Sequence, residues 1–348
     1  MALQASGQIK YSEIIAEFGT PNSGGIGEYR LSENVGSLSN LPLDTGVPQS
    51  GQIKFSDFYS KKLNHVVDLY SIGNNTSRQN AKDRWNNGNV HIVGSTKTGK
   101  TQPPDTIDDR VIVNVNATIR SAKGTQTHCA LRTGTWDSNT TLEIEIGTSG
   151  KLYGSGGNGG RGGSANETPG TDGQTGSSAL GIQYPCTINN LGVIQSGYGG
   201  GGGGGGNTRT TGGGKKGGAT TNGSSGGGGG GGAGLPAGNA GGVQTPLAVG
   251  GGSAGSAGQA GSLSGQASGG AGGSEAGNGG NSGAVNNSSS KASNGTSPSG
   301  AAAGGTGGNN GYAIITNQGS APSLSGGGTL IGRTITSVSY THLRAHET

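Results

Sequence analysis

The stretch that decides the fold runs from Leu152 to Gly328 and consists of glycine runs such as "YGSGGNGGRGG" (Tyr153–Gly163) and "GYGGGGGGGGN" (Gly197–Asn207). The chain holds 81 glycines, and a Gly/Ser-rich tract is by default a flexible linker. Apolar pieces interrupt the runs, notably "ALGIQYPCTINNLGVIQSG" (Ala179–Gly197) and "GYAIITNQG" (Gly311–Gly319). A linker has no need of such pieces, so we expect the tract to be ordered.

Glycine permits one ordered arrangement in which hydrogen bonds between backbone groups, and not contacts between side chains, hold neighbouring segments together. A left-handed helix with three residues per turn has no internal hydrogen bonds, so its backbone groups can pair with neighbouring helices. The entropy that glycine loses on folding must be offset by those bonds. We therefore predict a mainly β N-terminal part followed by a glycine-rich polyglycine-II helix bundle with little regular α or β. Within the tract, "TINNLGVIQSG" (Thr187–Gly197) predicts strand, turn and strand.

Composition excludes several classes of protein. Of 348 residues, 28% are hydrophobic and 4% aromatic, too few for a conventional core in the second half. The net charge of +4 is scattered, so nucleic-acid binding is not indicated, and no apolar run reaches membrane-spanning length. Cys129 and Cys186 are either buried thiols or one disulfide, and no metal or cofactor spacing is present.

A nine-residue motif occurs twice near the start of the chain, as "SGQIKYSEI" (Ser6–Ile14) and "SGQIKFSDF" (Ser50–Phe58). We expect two equivalent strand-to-helix units with Ser12 and Ser56 as N-caps. Such units are too small to fold alone, so they either dock on something larger or are ordinary supersecondary units without a partner. The apolar positions for docking are Ile9, Tyr11, Ile53, Phe55 and Phe58.

Alternating apolar residues predict strands with one solvated face before the glycine tract. In "DRVIVNVNATIRS" (Asp109–Ser121), Val111, Val113 and Val115 share a face. In "TTLEIEIGTSGKLYG" (Thr140–Gly154), Glu143 and Glu145 lie on the face opposite the apolar residues. We interpret these carboxylates as members of a solvated face and not as a catalytic pair, because no histidine or second acidic cluster accompanies them.

One segment matches the phosphate-loop pattern G-x-x-x-x-G-K-[ST], from Gly94 to Thr101. Phosphate binding requires a helix that begins at the lysine, so that its amides face the phosphates. Pro103 and Pro104 follow directly and prevent such a helix. We therefore interpret Gly94–Thr101 as a lysine-rich hairpin loop and predict that the protein is not an enzyme.

"TTLEIEIGTSGKLYGSGGNGGRGG" (Thr140–Gly163) followed by "ALGIQYPCTINNLGVIQSGYGGGGGGGG" (Ala179–Gly206) resembles the receptor-recognising adhesins that cap the long tail fibres of T-even-like phages. The similarity covers roughly Asp109 to Gly328. In that family a strand-rich segment leads into polyglycine-II helices, and variable segments between the glycine motifs touch the host surface. The N-terminal repeat departs from those adhesins and resembles the N-terminal repeats of tail structural proteins in marine phages.

The resemblance implies two partners, a tail-fibre shaft protein that is expected to be trimeric and a bacterial outer-membrane protein or polysaccharide. It places the protein at the tail-fibre tip of the virion, extracellular after lysis, which agrees with an N-terminus that lacks a signal-peptide pattern. The alternative is a glycine-rich structural or ice-binding surface protein. The irregular insertions between glycine runs argue against the periodic face that ice binding needs.

Four segments follow from these observations. We expect an attachment segment over residues 1–60, a β-rich attachment or shoulder domain over 61–151, and a glycine-rich polyglycine-II receptor-binding domain over 152–337. The last segment, 338–348, reads "VSYTHLRAHET" and matches a translated transposase sequencing adapter. We expect it to be an artefact of metagenomic assembly.

Receptor contact is expected in the segments between glycine motifs, because a glycine helix has no side chains with which to discriminate. These segments are Ser164–Gln174, Asn207–Lys216, Leu235–Val249, Asn286–Ser299 and Asn317–Leu324. The cations among them can meet phosphates or carboxylates of a surface polysaccharide, or they merely keep a glycine surface soluble. The candidate residues are Asn207, Thr208, Arg209, Lys215, Lys216, Leu235, Pro236, Thr245 and Pro246.

Overall fold

A computed structural model of the chain describes residues 3–74, 76–101, 110–165, 168–211, 220–244, 254–263, 265, 267–272, 276–283, 291–297, 301–316 and 322–335, without side chains for 209–211 and 220–222. The helices are α1 (Tyr11–Phe18), α2 (Ala81–Asn86) and α3 (Ser95–Thr98), with short 3-10 helices at Ile26–Tyr29 and Phe55–Phe58. The strands are β1 (Ser32–Val35), β2 (Leu38–Pro42), β3 (Asn64–Leu69), β4 (Thr76–Ser77), β5 (Gln79–Asn80), β6 (Val90–Ile92), β7 (Arg110–Val115), β8 (Thr118–Arg120), β9 (Cys129–Arg132), β10 (Thr141–Ile146), β11 (Lys151–Tyr153), β12 (Ser178–Ile182), β13 (Cys186–Asn190), β14 (Val193–Gln195), β15 (Asn207–Thr211), β16 (Thr220–Ser224), β17 (Tyr312–Thr316), β18 (Ser323–Ser325), β19 (Thr329–Ile331) and β20 (Arg333–Ile335).

Three sheets run the length of a parallel β-helix. The first has the order β18-β13-β10-β7-β3-β6, the second β19-β14-β11-β8-β4, and the third β20-β17-β12-β9-β5. All neighbours are parallel except the edge pair β3–β6. The chain visits the three sheets in turn, so that each coil adds one strand to each sheet. The five coils are β3-β4-β5, β7-β8-β9, β10-β11-β12, β13-β14-β17 and β18-β19-β20.

Apolar alternation explains which face of each strand points into the β-helix. In the first sheet Val113 is the register partner of Val67 and of Ile144, and Ile144 is the partner of Ile188. All four side chains are almost fully buried, and burying an aliphatic side chain contributes about 1.5–3 kcal/mol. The same ladders form in the second sheet through Ile119, Leu152 and Ile194, and in the third through Leu131, Leu180 and Ile314.

The first coil is closed by aromatic side chains. Helix α2 carries Trp85, whose ring lies 5.4 Å from that of His65 and 5.6 Å from that of Trp136. The Lys82 ammonium lies 4.8 Å from the Trp136 ring centroid, within the range of a cation–π contact. His65 is 2% exposed, and burial lowers its pKa to about 4 because the imidazolium ion would lose its hydration.

The N-terminal residues pack on the outer face of the first sheet. Ile112 of β7 contacts the N-terminal apolar cluster there, and the buried Asn114 donates to the Val35 carbonyl at 2.9 Å and accepts from the Ser37 hydroxyl at 2.7 Å. The predicted solvated face of β7 was therefore wrong, since the N-terminal region covers it. The solvated face predicted for β10 is closer to the structure, because Glu143 and Glu145 there are half-buried and not covered completely.

The two copies of the repeat begin helices at the same position of the motif, at Tyr11 and at Phe55. The predicted N-caps were wrong, because each helix starts one residue before Ser12 or Ser56. The acidic residue of each copy instead accepts the backbone N–H at the start of the helix: Glu13 from Lys10 at 2.8 Å, and Asp57 from Lys54 at 2.7 Å. The copies also touch each other, with the Tyr11 and Phe55 rings 6.3 Å apart.

The glycine segments leave the β-helix at one corner, between the second and third sheets. In the third coil the excursion runs from Gly154 to Ser177, and in the fourth from Ser196 to Gly311. A hydroxyl cluster marks the exit: the Ser155 N–H donates to the hydroxyls of Ser121 and Ser177, both at 2.8 Å. We call these packed excursions, over the described parts of residues 154–177 and 196–311, the glycine array.

Backbone hydrogen bonds between segments hold the glycine array together. From Gly200 to Gly205, residues three apart donate to the same neighbouring segment, and all six residues are buried. A Cβ atom on Gly203 would lie 2.0 Å from the Arg161 carbonyl oxygen, so side chains are excluded at this spacing. The donors and acceptors are Gly200 to Gln174, Gly203 to Thr171, Gly201 to Gly230, Gly204 to Gly227, Gly202 to Ser293 and Gly205 to Thr296, at 2.8–3.1 Å.

The predicted fold class, a mainly β N-terminal part followed by a polyglycine-II helix bundle with little regular α or β, was wrong. Strands continue through the C-terminal half as far as Ile335, in the same parallel sheets as the strands before residue 151. The apolar pieces between glycine runs explain the difference, because Ile188 and Ile194 add to the ladders begun by Ile144 and Leu152. Burial of these side chains draws the later chain back into the β-helix.

Replacing Gly203 by alanine should destabilise the protein by at least about 2 kcal/mol, since the new methyl group meets backbone that has little room to move. Gly242→Ala is the matched control, because a Cβ atom at Gly242 meets no atom within 4 Å. Denaturant unfolding of the two variants measures the difference. Equal stabilities would contradict the close approach of the segments.

Acid should destabilise the protein partly through His65. The folded pKa is about 4 against an ordinary value of 6.5, so below pH 6.5 the unfolded chain binds a proton that the folded chain rejects. The contribution is intact above pH 6.5 and lost as the pH falls to 4, to a total of roughly 3 kcal/mol. Between pH 4 and 7, the free energy of unfolding measured with denaturant should change less steeply with pH in His65→Leu than in the unsubstituted protein. The same pH dependence of stability in both proteins would contradict this contribution of His65.

Candidate functional site

The glycine array has two ends that differ in their surroundings. The near end lies beside the sheets: the Leu235 N–H donates to the Gly154 carbonyl at 2.9 Å, and the Gln195 side-chain amide donates to the Leu263 carbonyl at 2.6 Å. The far end is where the outgoing segments turn back. Its described parts are residues 164–165 and 168, the paired strands β15 and β16, and residues 297 and 301–302.

The strands β15 and β16 form an antiparallel hairpin at the far end of the array. Its ladder pairs Asn207 with Ser224 at the base and continues to Thr211 with Thr220. The segments entering and leaving the hairpin are held by the array, where Gly204 donates to the Gly227 carbonyl at 2.8 Å. The hairpin is thus a short ladder on a base whose backbone groups are already paired.

Two neighbouring turns pack at the base of this hairpin. The Thr208 hydroxyl donates to the carbonyl of Ala165, which is itself buried. The Ser164 N–H donates to the Thr168 hydroxyl at 2.5 Å. On another side the Ser297 hydroxyl donates to the Ala302 carbonyl at 2.8 Å. Polar, uncharged groups therefore fix the described part of the far end.

The structure separates the residues predicted to bind the receptor. Asn207 and Thr208 lie at the base of the hairpin, and Arg209 lies in its ladder opposite Asn222. Leu235 and Pro236 lie in the turn at the near end, on the opposite side of the array. Lys215, Lys216, Thr245 and Pro246 lie outside the described residues.

Three contacts at the hairpin base were not recognised from the sequence. Ala165 and Ser297 belong to the predicted segments Ser164–Gln174 and Asn286–Ser299, but the contacts that they and Ala302 make at the hairpin base were not predicted. Nothing in the local sequence indicates that these turns meet. The available signal is the matching length of successive glycine runs, which makes consecutive turns fall at the same end.

The predicted attachment residues divide between the core and the surface of the N-terminal region. Phe58 is fully buried against Phe18 and Tyr29, and Ile9 is 8% exposed. Tyr11 and Ile53 are half-buried, and Phe55 is 43% exposed. Tyr11, Ile53 and Phe55 are therefore the members of the set that reach solvent.

The phosphate-loop match adopts a different structure from a nucleotide site. Helix α3 is a single turn that ends before Lys100, and Gly94 donates its N–H to the Glu33 carboxylate at 2.7 Å. The Lys100 ammonium donates to the Ala16 carbonyl. The predicted hairpin loop was wrong in detail, because one helical turn forms. The contact of Lys100 with Ala16 connects this loop to α1.

The other candidate groups have structural partners. Glu143 pairs with Arg110 at 2.8 Å, and Glu145 accepts from Asn189 at 2.8 Å. Cys129 and Cys186 are free thiols, and burial raises their pKa values to about 11 and about 12. Among the described residues, no group of His, Cys, Asp and Glu is arranged to hold a metal ion.

A rigid base that presents turns and a hairpin at one end is the architecture of a binding protein, in which loops on a fixed scaffold make the contacts. Comparison with known families agrees: residues 85–335 match the family described as "Phage tail fibre adhesin Gp38". The match spans most of the chain, and the protein belongs to this family. Neither a curated protein nor a solved structure matches the chain significantly.

Family membership makes the protein a phage tail-fibre adhesin, which attaches to a tail fibre and to a host receptor and is associated with the virion. It indicates a structural or binding role and gives no support to the ice-binding alternative. None of the helices in the described part of the chain is long and apolar enough to cross a membrane.

Proposed function

We propose that the protein is the tip adhesin of the fibre and binds a bacterial surface receptor through the far end of the glycine array. The observation that supports this most is the β15–β16 hairpin, whose flanking glycines are held by backbone hydrogen bonds of the array, from Gly204 to Gly227 and from Gly226 to Gly163. A base fixed in this way lowers the entropy that a loop loses on binding. The receptor is an outer-membrane protein or polysaccharide.

Within this proposal, the receptor contacts the far-end turns and not the near-end turn. Asn207, Thr208 and Arg209 belong to the far end, whereas Lys215 and Lys216 lie outside the described residues. Leu235 and Pro236 lie beside Gly154 at the base of the array, where the β-helix limits the approach of a large surface. We therefore favour the hairpin over the near-end turn as the recognition element.

We further propose that residues 1–60 attach the adhesin to the fibre shaft, a trimer, while 61–151 form the shoulder and 152–337 carry recognition. Phe55, Tyr11 and Ile53 supply an exposed apolar surface at the junction of the two repeats. Exposed aromatic side chains are common anchors of protein interfaces. Phe58 and Ile9 belong to the buried cluster against which Tyr11 and Ile53 pack.

Removing the hairpin should abolish binding to host cells without unfolding the protein. Because Asn207 and Ser224 are register partners, an Asn-Gly turn can join them in place of residues 208–223. We expect at least about a tenfold loss in the binding of fluorescently labelled protein to cells, with little change in melting temperature. The point variant Leu235→Ser, at the near end, is the control and should bind normally. Loss of binding in Leu235→Ser alone would place recognition at the near end.

Phe55→Asp should prevent attachment to the fibre, because a carboxylate in an apolar interface loses its hydration without gaining a partner. Leu191→Asp is the matched control, since Leu191 is also exposed, at 49%, but lies between β13 and β14. We expect particles assembled with Phe55→Asp to carry at most about a tenth of the normal adhesin by quantitative immunoblot. Normal incorporation of Phe55→Asp would refute the attachment surface.

A further inference from the structure

The first coil of the β-helix carries a cavity at the corner where later coils emit the glycine segments. Its volume is about 360 Å³. In this coil the corner between the second and third sheets is a single residue, Arg78, between β4 and β5. The lining residues are Arg78, Gln79, Asn80, Asp83, Cys129 and Arg132.

The backbone at this corner holds Arg78 in an unusual conformation. Its φ of 41° lies in the left-handed region, which residues other than glycine seldom adopt. The Arg78 N–H donates to the Arg120 carbonyl at 2.9 Å, which fixes the corner against β8 of the next coil. Strained residues that the surrounding structure holds in place are concentrated at binding sites.

Donors exceed acceptors on the cavity wall. Arg132 uses one nitrogen on the Thr127 carbonyl at 2.7 Å, and within the described part of the chain no hydrogen bond or ion pair involves the Arg78 guanidinium. The Asn80 side-chain oxygen already accepts from the Lys82 N–H at 3.0 Å. Asp83, at the start of α2, is exposed and supplies the one carboxylate on the wall. Two arginines thus line the cavity, against one aspartate.

We propose that this cavity is a second binding site, for an anionic sugar of monosaccharide size. A guanidinium group binds a carboxylate through two parallel hydrogen bonds, which suits Arg78 with support from Arg132. The Asp83 carboxylate accepts hydrogen bonds from the several hydroxyls of a sugar, and it repels a free phosphate ion, which has fewer hydroxyls and carries its negative charge on one small group. The volume lies in the range of small-molecule sites and exceeds what a bare oxyanion fills.

The site lies on the side of the β-helix and is separate from the far end of the array. Acidic sugars are components of bacterial surface polysaccharides, so the cavity would add a contact to the shoulder of the adhesin. The chemistry of the cavity does not depend on the function of the hairpin. A test on the purified full chain without cells therefore succeeds or fails independently of the receptor proposal.

Isothermal titration with glucuronate, glucose and inorganic phosphate tests the proposal. We expect glucuronate to bind, glucose to bind at least about tenfold more weakly, and phosphate to bind more weakly than glucuronate. Arg78→Gln should weaken glucuronate binding by at least about tenfold, and Arg161→Gln, an exposed arginine on the glycine array, should leave it unchanged. Asp83→Asn should weaken glucuronate binding and strengthen phosphate binding.

Three results would overturn the site: equal binding of glucose and glucuronate, tighter binding of phosphate than of glucuronate, or unchanged binding in Arg78→Gln. Melting temperatures of all variants show whether each one is folded. Arg78 is the primary position because its exposed side chain is not needed for folding, whereas Arg132 also holds the Thr127 carbonyl. Arg132→Gln is a second variant, and it should lose affinity in parallel with Arg78→Gln.

Discussion

The structure of this protein depends on the close approach of glycine backbones in the array. Carbonyl oxygens of neighbouring segments come within 2.0 Å of the position where a Cβ atom of Gly202 or Gly203 would stand. At that spacing each amide reaches a partner, and buried amides without partners would be costly. The hydrogen bonds offset the large entropy that glycine loses on folding. The array is consequently stiff although it has almost no apolar core.

The β-helix supplies what the array lacks, a conventional apolar core and a fixed starting geometry. Ladders such as Val67, Val113, Ile144 and Ile188 hold successive coils in register. Since each long excursion starts after a strand of the second sheet and ends before a strand of the third, register in the sheets determines register in the array. The hydroxyl cluster of Ser121, Ser155 and Ser177 lies at the corner where the chain leaves the β-helix and enters the glycine array.

Apolar alternation in the sequence predicted many of the strands but not how they pair in the sheets. The alternation around Val113 and Ile144 identified strands, and "TINNLGVIQ" gave β13 and β14 with a turn between them. These two strands belong to different sheets, and each pairs with a strand of an earlier coil. Parallel pairing between strands far apart along the chain has no local sequence signal, which is why the predicted fold class, a mainly β N-terminal part followed by a polyglycine-II bundle, was wrong. The far-end contacts of Thr208 with Ala165, and the corner at Arg78, are non-local in the same way.

The crowding around the array glycines also has a genetic consequence. Every glycine codon begins with two guanines, so any change at either of those positions introduces a side chain or a stop codon. Where a Cβ atom would strike a carbonyl oxygen, as at Gly201 and Gly229, such a mutant folds poorly and its lineage is lost. Coding changes that survive will therefore accumulate in the turns at the ends of the runs. Selection for folding alone thus directs variation toward the turns, which include the surface that we propose meets the host.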